Sequence, residues 1–365
     1  MECIYDCEDD VFFLTILSRR IRMSLRAVDV LDLYVEPFIH SGFRLPNQPY
    51  SYYYRSLFFL HNETLSVWIH LLGTLILIQQ IYQQILSLSN ELYSSMICFY
   101  IIYNCIGASI MLLCSAQAHL LHSRTIADHI RSFYLDYFGI NFYGFTSGIV
   151  LRRFSHEQKF QSNHSQLDMN SNNDRYYLIL SLLSLYSLSV ACFCKTFYRR
   201  PYPYSHKFLQ CSGVLIVYSY QIWPVLKNLF FAFIFMNDGN KELQLESEQK
   251  ALYWHFFQLI SFILSGLIFV GRIPERFCPG LFDLFGQSHH AFHLTIFLMA
   301  YCQANAVFED MRSLTSIATK EYDWTKDICY TLIVLILQLL TVHLWFRISR
   351  PTIEQRYRVE LEKQL

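Results

Sequence analysis

The sequence predicts an all-α integral membrane protein with eight transmembrane spans. Two observations carry that reading. Charged residues make up only 16% of the 365-residue chain, while 53% of it is hydrophobic; soluble domains carry about 25% charged residues. Asp, Glu, Lys and Arg are also absent from long windows, at 64–90, 92–123, 137–151, 176–194, 208–226, 251–271, 284–308 and 328–346. A helix needs about 20 apolar residues to cross a bilayer core. Seven windows suffice when a turn is allowed at either end. The window 137–151 is short but extends back over Asp136 to Ser132. Only helices and closed barrels satisfy their backbones in lipid, and these windows lack strand alternation.

The organisation follows from the spans. Residues 1–62 form an N-terminal region, residues 63–346 a transmembrane domain of about eight helices, and residues 347–365 a basic tail. Within the N-terminal region Leu17, Ile21, Leu25 and Val28 recur at helical spacing with arginines between them. That suits a juxtamembrane helix lying on the inner leaflet, although a solvated basic segment has the same pattern. With the N-terminus inside, 19 Lys and Arg fall on the cytoplasmic side and 9 on the other. The asymmetry predicts both termini in the cytoplasm. Residues 152–175 read as a disordered Asn- and Ser-rich loop with a sequon at Asn163–His164–Ser165. Arg199 to Pro203 reads as a tight basic connection.

Several classes are excluded. A formal net charge of zero implies no nucleic-acid partner. Eleven scattered cysteines with no C-x-x-C pair do not make a disulfide scaffold or zinc ribbon. The first apolar stretch, Val11 to Leu17, follows acids and precedes the basic cluster, so no secretory signal peptide is expected.

Polar residues inside spans are functional candidates. Four clusters stand out: His61–Asn62–Glu63–Thr64 with His70, Ser115 with His119, Asp136, and Ser288–His289–His290 with His293. The expected topology places all four at one depth on the cytoplasmic side. His289 and His293 are four apart, so both imidazoles project from one helix face. His119 from a neighbouring span supplies a third nitrogen, and three protein ligands plus water is the habit of catalytic zinc. The pair also has the spacing of a helix-to-helix hydrogen bond. His122, one turn beyond His119, competes with it as a ligand. His290 points off the shared face, His255 and His343 lie elsewhere and read as structural, and Asn62 and Glu63 read equally well as caps of the first span. Trp68 and Trp254 fit an interfacial belt.

These residues resemble the progestin and adipoQ receptor family. The likeness lies in Glu36 to Arg44, in His61–Asn62–Glu63–Thr64 through Trp68, His70 and Gly73, in Ser115 and His119 followed by Leu135–Asp136–Tyr137 and Gly139, and in Arg272 to Arg276 through Pro279–Gly280, Phe282–Asp283 and Gln287–Ser288–His289 to His293. Order and spacing match over nearly the whole span region. The resemblance implies a seven-helix core with zinc held by His119, His289 and His293, and with Ser115 and Asp136 beside a metal-bound water. The eighth span at 328–346 and the stretch before the membrane look like the membrane progestin receptor branch, while Arg272 to Pro279 also looks adiponectin-receptor-like. Gln287, where some members have His, and the additional His290 depart from the pattern.

Three functions compete. One is a receptor that binds a steroid or other hydrophobic ligand, such as a sphingolipid, and signals to a cytoplasmic partner. Another is a zinc-dependent, ceramidase-like lipid amide hydrolase with Asp136 and Ser115 as catalytic residues. The third is a structural or lipid-homeostasis protein whose zinc pins helices. Plasma membrane and endomembranes both suit such a chain.

Overall fold

The computed structural model describes residues 25–88, 94–154, 166–199, 202–235, 246–314 and 324–364. These residues hold a short helix, α1 (Tyr50–Ser56), and eight long ones: α2 (Thr64–Ser87), α3 (Ser94–Leu121), α4 (Ile126–Phe154), α5 (Gln166–Phe197), α6 (Tyr204–Phe235), α7 (Glu246–Gly271), α8 (Ser288–Leu314) and α9 (Thr325–Gln364). Among the described residues the strand-like pairing is an isolated bridge between Leu25 and Phe43. By length and composition α2, α3, α5, α7, α8 and α9 can each cross a membrane. The all-α membrane architecture is therefore the one expected.

The other two long helices, α4 and α6, carry polar residues that face protein or the cavity. α4 packs against α3, α5, α6, α8 and α9 and is enclosed by them. Along it Asp128, His129, Ser132, Asp136, Asn141, Thr146 and Ser147 are all buried. A helix surrounded by protein has no need of an apolar face toward lipid. The expected third span thus begins at Ile126, well before its charge-free window. Gly139 lets α3 approach α4 closely: a Cβ there would meet Met111 Cα at 3.0 Å. α6 sets its polar residues Gln210 and Gln221 toward a cavity and leaves Phe208, Ile216 and Trp223 exposed on its outer side.

α9 lies on the perimeter against α4 and α5. Burying apolar surface gives little drive for helix association in lipid, so packing and hydrogen bonds must dock it. Three polar layers do so. At one end the Arg153 guanidinium grips Asp327 with two bonds of 2.7 and 3.0 Å, and the Tyr100 hydroxyl donates to the same carboxylate at 2.6 Å. Midway, Gln338 Nε2 donates to Ser184 Oγ at 3.2 Å. At the other end the hydroxyls of Tyr134, Thr196 and Ser349 form one cluster. The helix does not stop where its charge-free window does. It continues through the basic tail, where Ile353 and Tyr357 join an apolar cluster with Leu31, Leu33, Tyr34 and Ile130.

Residues 25–45 form a strap over the end of the bundle that carries Ser288. Leu25 and Phe43 exchange backbone hydrogen bonds of 2.8 and 3.1 Å, and Ala27 N donates to His40 O at 2.9 Å. Gly42 sits at φ +89°, and a Cβ there would meet Asn62 N at 3.1 Å, so glycine alone suits the position. Of the expected juxtamembrane helix, residues up to 24 lie outside the described residues; its last four residues hold the bridge and the start of a 3-10 turn, Ala27–Asp29. The loop expected over 152–175 is shorter, because α4 runs to Phe154 and α5 begins at Gln166. The sequon lies outside the described residues.

Candidate metal centre

Two helix ends meet at the centre, and each is held from outside its own helix. α3 ends at Leu121, leaving terminal carbonyls without intrahelical partners. The buried Arg44 of the strap donates to the carbonyls of His119 and Leu120, both at 2.7 Å. α8 starts at Ser288, whose backbone N–H and hydroxyl both donate to the Glu275 carboxylate. A carboxylate at a helix N-terminus also complements the helix dipole. These anchors fix His119 on one helix and His289 and His293 on the other.

The three imidazoles converge. His289 Nε2 and His293 Nε2 lie 3.0 Å apart. The His119 ring centroid is 5.0 Å from that of His289 and 4.5 Å from that of His293. One nitrogen from each of the three lies within 4.8 Å of the others. Zn–N bonds of about 2.0–2.1 Å put tetrahedral ligand nitrogens about 3.4 Å apart, so this donor set fits zinc.

The far nitrogens support the fit. His119 Nδ1 lies 2.8 Å from Glu63 Oε2, and His293 Nδ1 lies 2.7 Å from His70 Nε2. With a metal on Nε2 the ring proton would sit on Nδ1, so that His119 would donate to Glu63 and His293 to His70. Such partners fix the tautomer and aim the ring. Glu63 also accepts from His122 Nε2 at 3.1 Å. Glu63, His119 and His122 form a second buried group of possible donors, but its carboxylate is already occupied by both imidazoles.

Two expectations, Glu63 as a cap and His61 within the cluster, need correcting here, whereas His290, His255 and His343 lie apart as expected. Glu63 occupies the N-cap position of α2 but makes no side-chain cap bond, because its carboxylate is turned to the histidines. His61 stands apart from the cluster: its Nδ1 accepts from Glu63 N at 3.1 Å, and burial, with Arg44 close by, holds it well below its usual pKa. His290 is buried but lies outside both donor groups. His255 pairs with Asp310 at 2.8 Å, and His343 is exposed on α9.

Ser115 lies one turn before His119 on α3, beside the buried Asp136 carboxylate of α4. Asp136 Oδ1 is buried with no hydrogen-bond partner. Both residues line a cavity of about 560 Å³ together with His119, His289 and His293. From the histidines the cavity follows α8 as far as Met299, with Tyr218, Phe262 and Ile296 among its walls. Ten residues of helix between His289 and Met299 correspond to about 15 Å. Near the start of α8, Glu36, Pro37 and Ile39 of the strap line it.

Sequence reasoning placed the three histidines, Ser115 and Asp136 in one neighbourhood, and they are together. It missed Arg44, the role of Glu63 and the hydrogen bond of His70. A legible signal existed for Glu63: an acid at the start of a span, beside a histidine-rich helix end, is costly unless paired.

A family model described as haemolysin-III related matches residues 58–304. Membrane progestin receptor beta of Homo sapiens is 26% identical over 287 residues, covering 77% of this chain and 74% of the relative. Membrane progestin receptor alpha-B of Danio rerio is 28% identical over 284 residues, covering 76% and 74%. Membrane progestin receptor alpha of Homo sapiens is 28% identical over 282 residues, covering 77% and 75%. The matched residues include the strand-free bundle from α2 into α8 and all three histidines of the centre. The chain is thus a multi-pass membrane protein that belongs to the haemolysin-III related family, the family of the progestin and adipoQ receptors.

Proposed function

We propose that this protein is a receptor for a steroid or other hydrophobic ligand, with zinc held by His119, His289 and His293. The observation that carries the reading is the cavity: about 560 Å³, mostly apolar, ending on the histidine cluster. Ligand pockets typically measure about 300–1,000 Å³ and combine apolar walls with a few placed polar groups. The names of the relatives favour a steroid among hydrophobic ligands. Both termini lie in the cytoplasm on this reading, so the strap and the tail of α9 face a signalling partner there. Thermal unfolding of purified protein against a steroid panel tests it. A ligand that binds only the folded state stabilises it by about 2.7 kcal/mol at a hundred times its Kd. No shift with any steroid or sphingolipid, in well-folded protein, would overturn the receptor reading.

A second reading, lipid amide hydrolysis, is favoured by one observation: Asp136 and Ser115 share the cavity with the histidines, and Asp136 Oδ1 is unpartnered. When bound, zinc supplies a Lewis acid that polarises a carbonyl and acidifies a bound water. Asp136 would accept a proton at Oδ1 and hold it for a leaving amine, while Ser115 orients the carboxylate. On this reading Asp136→Asn retains metal and loses ceramide hydrolysis by about 10²–10⁴-fold. Wild-type protein inert toward ceramides in a lipid environment would leave only the receptor.

A further inference from the structure

The loop between α7 and α8, residues 272–287, exposes an apolar series. Ile273 is 57% exposed, Phe277 73%, Leu281 73% and Phe285 54%. Four large apolar side chains on one short loop are not scattered surface hydrophobics; a contiguous patch of this kind marks an interaction site. The segment before α2 does the same with Phe58, Phe59 and Leu60, exposed at 74%, 47% and 53%. α2 and α8 pack on each other, so both apolar segments lie at the same end of neighbouring helices.

We propose that these two segments insert into the bilayer leaflet on the metal-centre side and anchor that end of the bundle in it. The patch continues the exposed apolar face of α8, where Leu294 and Leu298 stand outward, and lies on the side of α7 that exposes Leu264. A soluble partner would have to reach a surface that starts inside the membrane. Exposed Arg276 on the loop and exposed Arg55 on α1 stand beside the apolar side chains. Basic groups next to an apolar face match lipid headgroups over acyl chains.

The consequence reaches the site. The same loop carries Glu275, which holds the first residue of α8, and Asp283, which accepts from His40 N at 3.0 Å and Ser41 Oγ at 2.7 Å of the strap. Gly280 N also donates to Phe38 O at 3.2 Å. The leaflet therefore holds the piece of chain that sets both His289 and the strap that lines the cavity.

The test is photo-crosslinking of the full chain with p-benzoylphenylalanine at Phe58, Phe277, Leu281 and Phe285, in cell membranes and in nanodiscs of phosphatidylcholine with and without phosphatidylserine. Leu340, exposed in the middle of α9 and away from the cavity, is the positive control, and exposed Gln355 on the tail of α9 the negative one. Lipid adducts at the four positions should match those at Leu340 and be absent at Gln355. Protein adducts in cell membranes would make the patch a docking face for a protein and overturn the proposal. Products of reaction with water alone at the four positions, in preparations where Leu340 still captures lipid, would overturn it too.

Discussion

Glu63 shows how one side chain can organise a centre it does not itself join. Its carboxylate is 2.8 Å from His119 Nδ1 and 3.1 Å from His122 Nε2, so a single buried acid sets two imidazoles. Partners of this kind raise ligand basicity, and losing one typically costs about 10–100-fold in metal affinity. Glu63→Gln is therefore expected to weaken zinc binding by about that factor in chelator competition, with the helical content unchanged. An affinity equal to wild type would return Glu63 to the role of a helix cap. At this scale the sequence was informative about types and spacing: His289 and His293 share a face because four residues separate them. It was silent on which nitrogen of each ring points inward, because that depends on Glu63 and His70 arriving from α2.

At the scale of elements, the enclosure of α4 explains why it was the hardest span to read. Hydropathy reports what lipid demands, and lipid barely touches this helix. Its Gly139 is as much a part of the site as Asp136 one turn earlier, since it sets how near α3 brings Ser115 and His119. Gly139→Val should push α3 and α4 apart and lower both thermal stability and zinc occupancy in purified protein; a variant with wild-type occupancy would show that the close approach is dispensable. α9 was legible as an apolar run, but its extension through the basic tail was not, because Ile353 and Tyr357 find their partners in the distant strap region. Its outer anchor is a buried ion pair. Removing one member leaves an uncompensated charge and costs about 3–5 kcal/mol, whereas replacing both by apolar residues is often near neutral. Arg153→Ala should thus lower the unfolding temperature in detergent much more than Arg153→Met combined with Asp327→Leu. Equal losses would mean that the pair does not dock the helix.

For the whole molecule, α3, α4 and α8 bring the centre together at one end of the bundle, under a strap drawn from residues before the first span. The apolar windows made the bundle readable from the sequence. The cavity was not readable, since its lining comes from every long helix but α9, together with the strap and the loop between α7 and α8, with no periodic signature of its own. The same scale carries the orientation. With 19 basic residues on one side and 9 on the other, tags at both termini should resist protease in intact cells; cleavage of either would put that terminus outside.

The central claim is that His119, His289 and His293 hold zinc at the end of a ligand cavity. Elemental analysis of protein purified without added metal tests it most directly. The account predicts about one equivalent of zinc per chain, lost in the double variant His289→Ala/His293→Ala that still extracts and folds. Well-folded wild-type protein with no zinc, able to take up none on addition, would contradict it.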